Sequence, residues 1–182
     1  MVELLWDRPI RDLSIVTIMR GTGLSRPAFY QYFKNVPVLI EELLRDLEVE
    51  MHEAATAWFL SEGPANDKIR ESLGAIIAVC RSHGPVFRAI SESAPHDAKL
   101  EASWARFMGS WDDAVEARIR KGQAEGFYQD CDAAMVARAL NRMDASILID
   151  GFGRRQQRDP EVVLDALHTI WSRTLMLPTY FD

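Results

Sequence analysis

Apolar positions recur three and four apart along nearly the whole chain, and no segment alternates apolar and polar residues with period two. That pattern predicts helices throughout and no sheet. A short helix from Ile15 to Arg20 places Ile15, Ile18 and Met19 on one face, Gly21-Thr22-Gly23 breaks it, and Leu24 is set to plug the corner that follows. Ser25 is a natural N-cap, and Pro27 falls in the first turn of a second helix, where its missing N–H costs no hydrogen bond. This second helix buries Phe29 and Phe33, four apart, and turns Arg26, Pro27, Ala28, Tyr30, Gln31 and Tyr32 outward. Two tyrosines, an arginine and a glutamine make a poor face toward water and a good one toward a DNA groove. Two short helices with a glycine-rich turn between them form the unit that places such a face in the major groove.

Beyond it, Leu39, Ile40, Leu43, Leu44, Leu47, Met51, Ala54, Ala55, Trp58 and Phe59 predict one long helix near 36–60. At 1.5 Å per residue it spans about 37 Å, enough to join a DNA-binding head to a separate body. Prolines and caps then predict a helix near 67–81 with Asp67 as its N-cap, and a short one after His83-Gly84-Pro85. Another runs from about Leu100 to Glu125, one covers 132–150, and a last one, near 160–177, is capped by Asp159-Pro160-Glu161. The expected organisation is all-α, with a helix-turn-helix head over residues 1–45 and a helical ligand-binding and dimerisation body over 46–182.

The last two helices are apolar around much of their circumference: Met135, Val136, Leu140, Met143, Ile147, Leu148 and Ile149 on one, Val163, Leu164, Leu167, Ile170, Trp171 and Leu175 on the other. Helices of that kind are buried on more than one side. They are either internal core helices or half of a two-fold, four-helix interface that presents two heads to a pseudo-palindromic operator.

Charge sharpens the picture of the head. The chain of 182 residues carries a net charge of -6, yet residues 8–34 hold Arg8, Arg11, Arg20, Arg26 and Lys34 against Asp12 alone. A cationic segment on an acidic body suits a polyanion, because phosphate neutralisation supplies most non-specific DNA affinity. No run of about 18 apolar residues suggests a membrane span. The N-terminus MVELLWDRP has no secretion-signal pattern, and Cys80 and Cys131 lie far apart without metal-ligand spacing. A cytoplasmic protein without metal or cofactor is expected. His52, His83, His96 and His168 are scattered, Glu48 and His52 read as a helix pair, and no phosphate-cradling loop is present, so no catalytic residue is assigned. A helical adaptor without DNA function remains the alternative to a regulator.

In the body, Trp104, Phe107, Met108 and Trp111 fall three and four apart on one helix, and Phe59, Phe87 and Trp171 can converge on them. Taken alone, such a stripe is ordinary core. Asn141 and Asp144, however, share a face with Leu148 on a segment that otherwise reads as buried, and buried polar groups require partners. Arg138 and Arg142 point away from that face. A small, largely apolar effector oriented by those two groups is therefore expected.

The run Gly23-Leu24-Ser25-Arg26 followed by Phe29-Tyr30-x-Tyr32-Phe33 resembles the signature of TetR-type repressors. Asp7-Arg8-Pro9, Ser25-Arg26-Pro27, Phe107-Met108 with Trp111, Leu140-Asn141-x-Met143 and His168-x-Ile170-Trp171 extend the resemblance to the EthR-like members. The resemblance implies a homodimeric repressor that contacts double-stranded DNA through Ser25, Arg26, Pro27, Tyr30, Gln31, Tyr32 and Lys34. It also implies an effector tunnel lined by the equivalents of Asn141 and Asp144, both asparagines in EthR-like proteins. Asp144 departs from that pattern and suits a ligand with a donor or cationic group. Ile69, Ile76 and Cys80 look like smaller substitutes for aromatic residues at the matching cavity positions. Val36 stands where the family usually has a phosphate-holding lysine, with Lys34 two residues earlier, and Ala28 stands in a slot often filled by threonine. The family's first helix is almost absent, since only Met1 to Trp6 precede Asp7-Arg8-Pro9. The expectation is a natural start upstream of Met1, with Ile15, Ile18, Phe29 and Phe33 facing water and the head mobile.

Overall fold

The computed structural model describes residues 2–23 and 25–180; the corner role expected of Leu24 lies outside them. Eight α-helices, joined by short connections and single 3-10 turns, account for the described fold: α1 (Val2–Asp7), α2 (Ile15–Thr22), α3 (Arg26–Tyr32), α4 (Val36–Phe59), α5 (Asn66–Ser93), α6 (Ala98–Ala124), α7 (Ala133–Phe152) and α8 (Pro160–Leu175). Among the described residues the one extended pairing is an isolated bridge between Tyr128 and Met176.

The helix starts follow side-chain chemistry. Ser14, Ser25, Asn35, Asp97, Asp132 and Asp159 each accept a hydrogen bond from a backbone N–H in the first turn that follows. α2 runs further than its sequence suggests, taking in Gly21 and Thr22, and stops at Gly23, whose φ of 68° lies in the left-handed region open to glycine. α5 corrects the sequence reading twice. It begins at Asn66, so Asp67 lies inside the first turn and not at the cap, and it passes unbroken through Pro85. Proline deprives the carbonyl four residues earlier of its helical donor. Here that carbonyl, on Arg81, accepts instead from Gln157 Nε2 at 2.8 Å. Gly84 allows α7 to close on the same turn, since a Cβ there would lie 2.2 Å from the Phe152 carbonyl oxygen.

α5 is the central helix, packed against α4, α6, α7, α8 and α1. The end of α4 is tied down by a buried arginine. The Arg118 guanidinium donates to the carbonyls of Trp58 and Gly63 and to Ser61, and lies against the rings of Trp58 and Tyr128. These bonds satisfy carbonyls that the last turn of a helix leaves open.

One apolar cluster runs from Leu5 through Ile18, Phe29 and Ile40 to Leu175. The expectation that the head's apolar side chains face water is therefore corrected. Ile18 and Phe29 are 2% and 3% exposed, Ile15 and Phe33 are part-buried, and the short α1 contributes the fully buried Leu5. α1 is held by the body. Arg88 of α5 donates to the Leu5 carbonyl at 2.7 Å, and Arg155 forks onto Asp7 at 2.6 and 3.0 Å.

Candidate nucleic-acid interface and effector cavity

In the head, Ser25 Oγ accepts from the Ala28 N–H at 3.4 Å and so fixes the start of α3. Phe29 faces inward, and Arg26, Pro27, Tyr30, Gln31 and Tyr32 are exposed together, with Ala28 part-buried at their edge. Tyr32 is 77% exposed and Tyr30 49%, a costly display of aromatic surface for a folded protein without a partner. Arg26 donates to the Tyr30 hydroxyl at 3.3 Å, one turn away. The pair presents a cation and an aromatic ring as one unit. Lys34 is exposed just before the Asn35 cap of α4, and Val36 opens that helix in a part-buried position.

In the body, α4 to α8 line a cavity of about 50 Å³. Phe59, Ile76, Phe87, Phe107, Met108, Trp111, Asn141, Asp144, Leu148 and Trp171 all line it. Trp104 does not. It lies behind the wall, stacked on Phe107 and tilted against Phe87, and faces a surface groove with Arg142 and Arg154. Its part in the aromatic stripe is to back the lining, because the helix turns position 104 away from the cavity. Cys80 is fully buried but is not among the lining residues, whereas Ile69 is. Sequence reasoning missed Met51, Ala55, Trp58, Ser72, Leu73, Val115 and Ala145. The small and aliphatic ones carry no signal, since any core position looks the same; Trp58 was read only as part of the α4 stripe.

The polar lining has partners that local spacing hid. Asn141 Nδ2 donates to Asp112 at 2.9 Å, and Arg142 forks onto the same carboxylate. Asp144 accepts from the Trp171 indole N–H at 3.1 Å on both oxygens. Burial pushes the Asp144 carboxyl up to about 7, the indole hydrogen bond opposing the rise. Burial first, and the Asp144 charge second, push the nearby Cys80 thiol up to about 12, so it stays a thiol. Among the described residues no group of three or more His, Cys, Asp or Glu side chains is placed to hold a metal, and no helix is long and apolar enough to cross a membrane.

A helix-turn-helix ahead of an all-helical body with an internal cavity defines a DNA-binding regulator of the TetR type. The solved structure of PfmR, a TetR-family regulator from Thermus thermophilus, superposes with a TM-score of 0.76 at 19% identity, covering 97% of this chain and 96% of that one. The MbdR regulator from Azoarcus sp. CIB gives 0.77 at 19% identity, covering 97% and 95%. The family described as "Transcriptional regulator EthR, C-terminal domain" matches residues 69–176. The HTH-type transcriptional regulator EthR of Mycobacterium tuberculosis is 31% identical over 175 residues, 93% of this chain and 80% of that protein. The chain belongs to the EthR-like transcriptional regulators of the TetR family. That is a family of regulators, not of enzymes.

Proposed function

We propose that this regulator is a ligand-responsive repressor that binds a pseudo-palindromic operator as a homodimer and is released by a small, largely apolar effector. The observation that carries the reading is the exposed face of α3, with Tyr30 and Tyr32 displayed beside Arg26 and Gln31. Arg26, Tyr30, Gln31 and Tyr32 contact bases or the groove wall, Pro27 packs at the helix start, and Ser25 and Lys34 hold phosphates. Residues 1–45 act as the head and 46–182 as the body, with α4 reaching from one into the other.

Dimerisation through α7 and α8 is supported by the apolar side chains left on their outer faces: Met135 is 62% exposed, Val162 66% and Ile170 40%. Such surface is normally covered. A symmetric pairing of these faces holds two heads a fixed distance apart. The working compartment in this reading is the cytoplasm, where the operator is.

A cavity of about 50 Å³ is far below the roughly 300–1,000 Å³ typical of ligand sites, so an effector must part the aromatic walls to enter. Met51, Ala55 and Trp58 of α4 and Phe87 of α5 are in those walls. Displacing α4 moves the recognition helix at its other end. Displacing α5 pulls on α1 through Arg88. The effector shifts the equilibrium only by its differential affinity for the two head arrangements, a coupling of about 1–3 kcal/mol in typical cases.

The test is operator binding by the purified chain on DNA upstream of its own reading frame. Tyr30→Phe and Tyr32→Phe weaken binding without loss of the folded dimer, and Asn141→Leu weakens effector response while leaving operator affinity nearly intact. A flat dependence of affinity on salt, or unchanged affinity in both tyrosine variants, removes the repressor reading.

A further inference from the structure

The cavity is lined by one carboxyl group, Asp144, that no basic side chain among the described residues pairs with. Asp112, which lies outside the lining and behind Asn141, has the Arg142 guanidinium on both oxygens and the Asn141 amide as well. Asp144 has only the neutral Trp171 N–H, shared between its oxygens, and among the described residues no basic side chain forms an ion pair with it. A carboxylate excluded from water without a counter-charge is unfavourable. The surrounding wall is aromatic, with the Trp171 ring edge-on to Trp58 at 5.3 Å and Phe59 beside Trp111 at 6.1 Å. Aromatic faces attract cations when water is excluded. A carboxylate and several aromatic rings around one apolar space are the two elements that together recognise an ammonium group.

We propose that the effector is a cationic amphiphile, a slender alkyl or arylalkyl amine whose protonated nitrogen pairs with Asp144 while its apolar chain lies along Phe107, Met108 and Leu148. This rests on the ligand-responsive reading above and adds the charge of the ligand to it. The amine supplies what the fold leaves out. Folding has already withdrawn the part-buried carboxylate from much of its water, so forming the ion pair repeats only part of that desolvation. Burial raises the proton affinity of Asp144, and a bound ammonium would return the carboxyl to its ionised form. The small cavity suits a narrow chain over a fused ring system.

The experiment compares three probes of equal chain length, n-octylamine, 1-octanol and octanoate, by calorimetric titration and thermal shift on the full chain near pH 7.5. The amine is expected to bind about tenfold or more tighter than the alcohol, because its hydrogen bond to the carboxylate is charge-assisted, and octanoate is expected to bind weakest. Asp144→Asn, of nearly the same shape, should bring the amine down to the level of the alcohol. Octanol binding as tightly as octylamine overturns the cationic assignment and leaves the effector reading standing. Binding of none of the three overturns both. The comparison on the unmodified chain decides the matter even if the variant fails to fold.

Discussion

The recognition helix and the cavity use the same kind of residue, aromatics at helical spacing, and treat them in opposite ways. On α3, Phe29 is buried at 3% exposure while its neighbours Tyr30 and Tyr32 stand in solvent at 49% and 77%. Around the cavity Trp58, Phe87, Phe107, Trp111 and Trp171 are all buried, none above 7% exposed. In the head the fold neither needs nor covers the exposed rings, so they are available to a partner from outside. These five rings are structural as well as cavity-lining, so a ligand there must compete with packing. An outward-facing site is free to be optimised for recognition, and an inward-facing one ties recognition to stability.

The largest effect expected from this contrast lies on a single helix. Phe29→Ala should cost about 3–5 kcal/mol of unfolding free energy, the usual loss for a buried phenylalanine. Tyr32→Ala, three residues on, should change stability by about 0.5 kcal/mol or less. Chemical denaturation of the two variants measures the difference, and equal losses would break the distinction between the buried and displayed faces.

Asp144 gives the next effect, and its sign is opposite to that of an ordinary salt-bridged aspartate. Its carboxyl titrates near 7 in the folded chain against 3.8 in the unfolded one. Between those values the folded state holds the proton that the unfolded state has lost, so stability falls as pH rises through the window. The slope approaches about 1.4 kcal/mol per pH unit where the two states differ by a whole proton. Asp144→Asn should abolish that slope and make the variant the more stable protein by on the order of 2–4 kcal/mol at pH 7.5. Parallel stability profiles of the two proteins from pH 4 to 8 would refute the burial of this charge.

On the DNA side, Arg26→Ala removes both a cation and the donor to Tyr30. Operator affinity should fall by about 1–3 kcal/mol, and the slope of log affinity against log salt should shrink by about 0.9 if Arg26 also neutralises a phosphate. Melting temperature should not move. The smallest effect belongs to the proline in α5. Gln157→Leu strands the Arg81 carbonyl and should lower stability by about 1 kcal/mol, with no effect on operator affinity at saturating protein.

Much of this was legible in the chain. Ser25 followed by Pro27, and the split of aromatics between Phe29 and Tyr30-Tyr32, defined the recognition helix and its outer face, because caps and helical spacing act over a single turn. The same spacing brought Phe107, Met108, Trp111, Asn141, Asp144 and Leu148 to one space. It failed where partners are distant. Pro85 read as a break, since nothing nearby reveals that Gln157, far along the chain, takes the role of the lost donor. Trp104 read as lining, since a helical stripe does not say which of its edges meets the cavity.

By itself the sequence determined most of the helices, the Ser25 and Asp159 caps, the cationic head and the family, all properties of short segments and local spacing. The tertiary structure decided the rest: that α1 is held by Arg88 and Arg155, that Arg118 seals the end of α4, and that Asp112 has a counter-charge where Asp144 has none among the described residues. Each of these depends on side chains dozens of residues apart meeting in the interior. A buried charge acquires its character from the neighbours that three-dimensional packing supplies, and sequence spacing does not encode them.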